Sequence, residues 1–391
     1  MFGKRRLKRC YNLEDLRRLA RKRLPSPMYH YMRGGADDEW TLRRNTAAFD
    51  NYELLPRYLV NVEKVDAGVT VLGQKLEWPL FCSPTGMSRI FHHDGEIGAA
   101  RAAHRSGTMY TLSTLGSTSI EDVAAASEGP RMFQIYVLKD PGLNLEFIER
   151  CREANYSALC LTVDVPVGGN RERDYYTGMT VPPKLTLMSQ LDVARHLTWS
   201  FHYLKSGGAV MANFAHRIRD TEDTNLMAYA GRQFDKTVDW DDAARMIEQW
   251  DGPFAIKGVM CAEDARRSVE AGASAVMLSN HGGRQLDSAP APVDLVRDVR
   301  DAIGDDAEVI VDGGVRRGTH VLKALALGAT ACSTGRGYLY GLGAGGEAGM
   351  DRALKILREE VERDMALLGC VRARDLDERY VREVKNQGAT I

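Results

Sequence analysis

Several features that would point to other classes of protein are missing from this 391-residue sequence. Its seven cysteines include no C-x-x-C pair, which predicts neither a zinc site nor a disulfide framework and fits a reducing cytosol. No apolar run approaches the roughly 18 residues that a membrane-spanning helix needs, and the first residues lack the apolar core of a signal peptide. We therefore expect a cytoplasmic protein without a bound metal.

The sequence also has no large excess of positive or negative charge, because its 52 Lys and Arg residues nearly balance its 53 Asp and Glu residues. Nucleic-acid-binding proteins usually have a basic domain, so the balance predicts no nucleic-acid partner. The exception is residues 1–23, which hold ten basic and two acidic side chains. This segment fits contact with an anionic surface, or the solvated face of a helix that starts near Asn12, a plausible N-cap.

Eight short apolar runs, each ending in small or polar residues, are the main structural signal. Such runs are expected where both faces of a parallel sheet are buried, and helical patterns occupy several of the connections between them. This alternation predicts an α/β fold of the (β/α)8 TIM barrel type. A doubly wound open sheet is disfavoured because no G-x-G-x-x-G follows the first run. The predicted strands are 79–86, 109–113, 132–137, 158–165, 254–259, 275–282, 308–314 and 329–336.

The longest connection between predicted strands suggests an insertion in an otherwise regular barrel. Besides a helix near 239–250 it contains residues 170–237, in which the stretch 196–205 is aromatic and amphipathic. Such an insertion fits a lid over the barrel mouth or a segment that docks on a membrane surface. We expect one domain over 1–391, made of an N-terminal helical segment (1–78), the barrel with its insertion (79–345) and C-terminal helices (346–391).

Each of the eight predicted strands has polar or glycine residues at its carboxyl end. Catalytic residues of a TIM barrel lie at this end of the strands. Polar residues at all eight strand ends predict a large cofactor site. The residues are Thr85, Gly86, Ser113, Gln134, Tyr136, Thr162, Asp164, Lys257, Ser279, His281, Asp312, Gly314, Gly335 and Arg336.

The last two strand ends indicate a phosphate-bearing ligand. Glycines with Arg316 follow the seventh strand, and Gly335 with Arg336 follows the eighth. Loops at these two positions often bind phosphate, since glycine lets backbone N–H groups approach and arginine adds a charged fork. The simpler interpretation is a pair of ordinary turns with surface arginines.

Two further side chains suggest a reaction. Lys257 lies inside an apolar run, where it would form a Schiff base, stabilise an electron-rich ring or extend to solvent. His281 is followed three residues later by Arg284, which pairs a proton acceptor with an anion clamp. Asp164 is placed to accept the other imidazole N–H. This set fits proton abstraction from a substrate that carries a carboxylate.

Two motifs carry a family resemblance: SNHGGRQLD at 279–287 and DGGVRRG at 312–318. They resemble the FMN-dependent L-2-hydroxy-acid dehydrogenase/oxidase family, and the similarity runs from about Tyr11 to Val381. The resemblance implies an FMN cofactor, a small 2-hydroxy acid as substrate and assembly as a homotetramer.

The resemblance also implies roles for individual residues. His281 matches the catalytic base, Asp164 its carboxylate partner and Tyr136 the tyrosine that faces the substrate hydroxyl. Tyr31, Arg171 and Arg284 match the groups that bind the substrate carboxylate. The FMN contacts would be Thr85, Gly86, Ser113, Gln134, Thr162, Lys257, Ser279, Asp312, Gly314, Arg316, Gly335 and Arg336.

Two positions depart from the glycolate oxidases of this family. Leu115 stands where those enzymes carry tryptophan, and Gly86 stands where several oxidases have alanine. Both changes open space near the substrate, so a larger acid such as lactate, mandelate or an analogue is favoured over glycolate. Gly86 also favours a dehydrogenase that passes electrons to a quinone or another carrier.

These departures, with the basic N-terminus and the insertion, predict peripheral association with the cytoplasmic face of the membrane. The alternative is a soluble oxidase that produces hydrogen peroxide. Two rivals are a flavin-dependent isomerase, which has no need of His281 with two arginines, and a flavin-carrying scaffold that has lost catalysis.

Overall fold

The chain folds around a closed barrel of eight parallel strands, which follow one another around the barrel in their sequence order. The structure, a computed structural model, describes residues 6–180, 183–208, 210–216 and 233–384. The barrel strands are β4 (Leu80–Thr85), β5 (Tyr110–Ser113), β6 (Arg131–Ile135), β7 (Ala158–Thr162), β8 (Phe254–Val259), β9 (Ala275–Ser279), β10 (Glu308–Asp312) and β11 (Ala331–Thr334). The TIM barrel prediction is therefore confirmed.

Several predicted strands extend too far at their carboxyl ends. The run 158–165 pairs only to Thr162, and the run 275–282 only to Ser279. Beyond these points the chain leaves the sheet, and His281 takes a left-handed backbone conformation with φ +57°. The polar groups after these strands therefore lie on loops that open onto the carboxyl end of the barrel.

Helices follow the strands in the expected alternation. The helix after β10 begins at Gly318. The Gly318 N–H donates to Glu360 Oε2 (2.8 Å), so a tertiary partner satisfies the helix start. The helices after β4 to β7 are α4 (Gly95–Arg105), α5 (Ile120–Ala126), α6 (Pro141–Glu153) and α10 (Trp240–Trp250); those after β8 to β11 are α11 (Ala262–Glu270), α12 (Val296–Ile303), α13 (Gly318–Ala326) and α14 (Arg336–Leu368).

A hairpin of β2 (Val69–Val71) and β3 (Gln74–Leu76) packs against the amino end of the barrel. Val71, Leu72 and Leu76 join the apolar side chains of the barrel interior, among them Phe81 and Met132. Apolar side chains therefore fill the amino end of the barrel, and the polar groups lie at its carboxyl end.

The N-terminal segment packs on the outside of the barrel and reaches its mouth. It contains α1 (Leu13–Arg23), α2 (Ser26–Arg33), α3 (Trp40–Ala47) and β1 (Tyr52–Leu54), which pairs with β12 (Val381–Glu383). Asn12 caps α1 as predicted, since its Oδ1 accepts from the Asp15 N–H at 2.8 Å. Helix α1 packs against α14 through buried leucines, while α2 brings Tyr31 to the carboxyl end of the barrel.

The predicted insertion contains α7 (Glu172–Thr177), α8 (Leu187–Arg195) and α9 (Leu197–Lys205). Its charged positions Arg217, Arg219, Asp220, Glu222 and Asp223 lie outside the described residues. Trp199 fixes α9 to the barrel, because its Nε1–H donates to the Ile90 carbonyl at 3.0 Å. In the part of the chain that the structure describes, we find no helix with the length and apolar character needed to cross a bilayer.

Candidate active site

A cavity of about 480 Å³ opens at the carboxyl end of the barrel. Asp164 and Ser279 do not line it directly, but lie behind its wall and contact residues that do. The other predicted residues all line it: Tyr31, Thr85, Gly86, Ser113, Gln134, Tyr136, Thr162, Arg171, Lys257, His281, Arg284, Asp312, Gly314, Arg316, Gly335 and Arg336.

His281 and Asp164 form a hydrogen-bonded pair in the wall of this cavity. The distance from His281 Nδ1 to Asp164 Oδ1 is 2.9 Å, so Nε2 is the ring nitrogen that Asp164 leaves free. Burial lowers the pKa of His281 against the opposing effect of Asp164, and Lys257 and Arg284 lower it further. The imidazole is therefore neutral at neutral pH, with an acceptor nitrogen available.

Asp164 stays ionised although it is buried. Burial alone would raise the pKa of its carboxyl, but the interaction with His281, including its hydrogen bond, and the charge of Lys257 hold that pKa below its usual value. Its Oδ2 has no hydrogen-bond partner among the described residues. The carboxylate is thus placed to stabilise a positive charge that develops on His281.

Two guanidinium groups flank the ring of Tyr31. Arg284 Cζ lies 5.0 Å from the ring centroid and Arg171 Cζ lies 5.3 Å from it. Arg284 donates through Nη1 to the carbonyls of Tyr31 (2.8 Å) and Gly34 (3.3 Å), and Arg171 pairs with Asp174 at 2.8 Å. Burial, aided by Arg171, lowers the pKa of Arg284 to about 10. The positive charge here is only partly compensated, which suits an anionic ligand.

Lys257 is buried at 3% exposure and is held by two groups. Its Nζ donates to Ser279 Oγ (3.0 Å) and lies 3.3 Å from Asp312 Oδ2. Burial lowers the pKa of this amine, but Asp164 and Asp312 outweigh burial and raise it above the usual value. A Schiff base requires a neutral amine, and a lysine that extends to solvent would be exposed. The structure therefore favours the remaining alternative, a fixed positive charge that stabilises an electron-rich ring.

Asp312 is surrounded by three serine hydroxyl groups, of which the sequence analysis singled out only that of Ser279. Ser83 and Ser333 donate to its Oδ1 at 2.6 and 2.7 Å, and Ser279 donates to its Oδ2 at 2.7 Å. Ser83 and Ser333 lie within β4 and β11, where a small polar residue in an apolar run is the only signal. The buried carboxylate is thereby fully hydrogen-bonded.

The glycine-rich loops lie close to other parts of the backbone. Gly314 has φ +77°, and a Cβ added there would lie 1.9 Å from the Asn45 carbonyl oxygen. Only glycine fits this position. Arg336 donates to the carbonyls of Met32, Gly34 and Gly282, which ties α2 to the barrel. Arg316 donates through Nη1 to the carbonyl of its neighbour Val315 at 2.7 Å.

Unpartnered polar atoms in the cavity wall test whether a flavin fits. Gln134 Nε2 and Thr162 Oγ1 are buried and, among the described residues, have no hydrogen-bond partner. Both residues line the cavity, as do Lys257 and the two glycine-rich loops. The polar atoms of Gln134, Thr162 and Lys257 match the hydrogen-bonding edge of a flavin ring, and the two glycine-rich loops match its phosphate. The residues present therefore fit FMN.

Gly86 and Leu115 are in direct contact in the cavity wall. A Cβ added to Gly86 would lie 3.1 Å from Leu115 Cβ. Tyr136 lies opposite Phe234, with the ring centroids 4.7 Å apart. Phe234 was not predicted, because the insertion that carries it gives no periodic signal.

Comparisons with known proteins agree with this geometry. The family model described as FMN-dependent dehydrogenase matches residues 20–383. A putative L-lactate dehydrogenase of Mycobacterium tuberculosis is 40% identical over 387 residues, covering 99% of this chain and 92% of the relative. Glycolate oxidase 3 of Arabidopsis thaliana is 39% identical over 371 residues, covering 95% of each. The crystal structure of the monotopic membrane protein (S)-mandelate dehydrogenase superimposes with a TM-score of 0.91 at 36% identity, covering 96% of this chain and 100% of the other.

Proposed function

The chain belongs to the FMN-dependent dehydrogenase family, and from this premise we propose that it oxidises an L-2-hydroxy acid to the 2-oxo acid. FMN accepts the two electrons of the reaction when it is bound. The observation that carries the proposal is the cluster of His281, Arg284, Arg171 and Tyr31 in one wall of the cavity. An isomerase has no need of this cluster, and a scaffold without catalysis has no need of a neutral buried histidine.

The two arginines and Tyr31 bind the substrate carboxylate in this proposal. Arg284 and Arg171 lie on the ring of Tyr31, so a carboxylate beside that ring meets both charges. Arginine binds carboxylates through parallel N–H donors, which fixes the orientation of the substrate as well as its position. The hydroxyl-bearing carbon is then held in the cavity beside His281 and Tyr136.

His281 takes the proton of the reaction through Nε2. Asp164 holds the opposite ring nitrogen and stabilises the imidazolium that forms. Burial, together with the nearby charge of Asp164, raises the pKa of Tyr136 above its usual value, so its phenol stays protonated and donates to the substrate. Lys257 supplies a permanent positive charge that favours an electron-rich flavin.

FMN is held in this proposal by both sides of the cavity. Backbone N–H groups at Gly314 and Gly335, with Arg316 and Arg336, bind the phosphate. Asp312, with Ser279 behind the cavity wall, would hold the ribityl chain. The ring would be held by Gly86, Lys257 and the hydroxyl and amide groups of Thr85, Ser113, Gln134 and Thr162.

The preferred substrate is expected to be larger than glycolate, because Leu115, which lines the cavity, stands where the glycolate oxidases carry the bulkier tryptophan. Anaerobic mixing of the yellow holoenzyme with glycolate, L-lactate, L-mandelate and longer L-2-hydroxy acids tests this. We expect the flavin absorbance to bleach faster with a larger acid than with glycolate. Fastest bleaching by glycolate would contradict the assignment of substrate size, and rapid recovery in oxygen with peroxide formation would favour the oxidase alternative.

An apolar surface on α8 and α9 supports membrane contact. These exposed side chains are Leu187, Met188, Leu191, Leu197, Phe201 and Leu204. Exposed patches of this kind mark interaction surfaces, and a relative of known structure is described as a monotopic membrane protein. We propose that this surface rests on the cytoplasmic face of the membrane, and that the protein is a tetramer as the resemblance implies.

Replacing Phe201 and Leu204 by aspartate is expected to weaken binding to vesicles of anionic phospholipid at least tenfold. Each buried apolar side chain contributes about 1.5–3 kcal/mol. Sedimentation with vesicles measures the effect, and Leu367→Asp, an equally exposed leucine on α14, is the matched control. High salt is expected to weaken wild-type binding, because basic residues near an anionic surface contribute about 1 kcal/mol each. Equal sedimentation of all three proteins would contradict the proposed surface.

A further inference from the structure

Two loops at the mouth of the barrel carry most of the groups that the proposed reaction uses. We call residues 163–171 the β7 loop and residues 280–287 the β9 loop, after the strands that they follow. The β7 loop holds Asp164 near its start and Arg171 at its end. More than half of its residues are exposed, so burial alone does not fix its position.

The proton-acceptor pair and the carboxylate clamp each take one group from either loop. Asp164 of the β7 loop pairs with His281 of the β9 loop, with Oδ1 and Nδ1 2.9 Å apart. Arg171 of the β7 loop and Arg284 of the β9 loop lie on the same tyrosine ring. A change in the relative position of the two loops would therefore disturb both pairs together.

Gln285, which follows Arg284 in the β9 loop, joins the two loops through its side-chain amide. Its Nε2 donates to the backbone carbonyls of Asp164 (2.9 Å) and Val167 (2.8 Å), and its Oε1 accepts from the Gly169 N–H (3.1 Å). Two carbonyls need N–H donors and one N–H needs an acceptor, so these partners fix the orientation of the amide. Because both amide hydrogens are used, Gln285 has no donor left for a substrate.

Other backbone hydrogen bonds hold the β7 loop only near its ends. The Val163 N–H donates to the Lys257 carbonyl at 2.9 Å, and the Asn170 carbonyl accepts from the Asp37 N–H at 2.8 Å. Between these two ends, the backbone hydrogen bonds that the loop makes within the described chain all go to Gln285. The middle of the loop therefore depends on this one side chain.

Glycine at position 169 allows the two loops to approach each other closely. A Cβ added to Gly169 would lie 2.2 Å from the Arg284 carbonyl oxygen and 2.8 Å from Gln285 Cα. A Cβ added to the preceding Gly168 would meet no atom of the described chain within 4 Å. The contact between the loops thus needs a small residue on one loop and the amide of Gln285 on the other.

We propose that Gln285 is a positioning residue of the active site. It holds the β7 loop against the β9 loop, and both the proton-acceptor pair and the carboxylate clamp depend on this contact. The inference rests on the proposed function, since it assigns Gln285 to the machinery of that reaction. The other interpretation is a role in stability alone, which would lower the melting temperature and leave the folded site unchanged.

The test uses two variants that disturb the contact from opposite sides, Gln285→Met and Gly169→Ala. Flavin reduction of the holoenzyme by the most reactive L-2-hydroxy acid is followed without oxygen, which gives a limiting rate and a dissociation constant. Calorimetry measures the binding of oxalate to the oxidised holoenzyme, because oxalate carries carboxylates and has no carbon-bound hydrogen to lose. In both variants we expect a limiting rate per bound flavin at least tenfold lower, and both dissociation constants at least tenfold higher.

Two matched controls should give wild-type values: Gln249→Met, at an exposed glutamine on α10, and Gly168→Ala, at an exposed glycine of the β7 loop. Wild-type rate and affinity in Gln285→Met, even with a lower melting temperature, would overturn the proposal. A lower limiting rate with unchanged oxalate affinity would also overturn it, because the two pairs would then not share one contact.

The proposed function itself fails separately, if no hydroxy acid reduces the flavin of the wild-type protein. Oxalate binding would then decide the role of Gln285. A tenfold loss of oxalate affinity in both variants would support the positioning of the clamp, and unchanged affinity would overturn it.

Discussion

Replacing His281 by alanine is expected to leave FMN bound and to slow flavin reduction by substrate roughly 10²–10⁴-fold, as for loss of a general base. The reason is that Asp164 leaves only Nε2 of this ring free to take a proton. The described residues that line the cavity contain no other histidine, aspartate or glutamate except Asp312, which is already hydrogen-bonded by three serines. Anaerobic stopped-flow absorbance at the flavin band measures the rate.

His104→Ala is a matched control, because this histidine is exposed on α4 and should reduce at the wild-type rate. The flavin content of His281→Ala, read from its absorbance ratio, separates a chemical effect from loss of the cofactor. Reduction within a factor of a few of the wild type, with full flavin content, would show that another group takes the proton.

The second large effect is expected for Lys257→Met, which should destabilise the apoprotein by about 3–5 kcal/mol. The variant leaves the buried carboxylate of Asp312 without its positive partner, 3.3 Å away in the wild type. The three serines still donate to this carboxylate, but they do not neutralise its charge. Guanidinium unfolding of the flavin-free protein, followed by tryptophan fluorescence, measures the change.

The control is Lys257→Arg, which keeps the charge and should lose much less stability. Because Lys257 helps to hold the pKa of Asp312 below its usual value, the methionine variant should recover part of its stability as the pH is lowered and this carboxyl becomes protonated. Destabilisation of less than 1 kcal/mol, or the same loss in both variants, would contradict the account of this pair.

The barrel was predictable because each strand is a short apolar run that is buried on both faces. The site residues were predictable for a related reason, since parallel strands bring their carboxyl ends together. His281, Lys257 and Asp312 therefore meet in one cavity although their strands are far apart in the sequence.

Contacts that join distant segments were not predictable in this way. Asn45 and Asn280 exchange two hydrogen bonds of 2.7 Å across 235 residues. Asn280 belongs to the motif at 279–287, but Asn45 belongs to no recognisable pattern. The start of α13 depends on such a contact, because Glu360, on another helix, accepts from the Gly318 N–H. A second cavity combines basic residues at the end of α1 with rings of α9, and each segment alone resembles a solvated or amphipathic helix.

The most direct test of the central claim is anaerobic mixing of the purified holoenzyme with the two enantiomers of one 2-hydroxy acid, followed by flavin absorbance. In the proposed function Arg284 and Arg171, which lie on the ring of Tyr31, bind the substrate carboxylate. Only one enantiomer would then present its carbon-bound hydrogen to His281. The account predicts that the L-acid bleaches the flavin in a single turnover and yields one 2-oxo acid per FMN, while the D-acid leaves it oxidised. Bleaching by the D-acid at the same rate, or by none of the L-acids tested, would contradict the account.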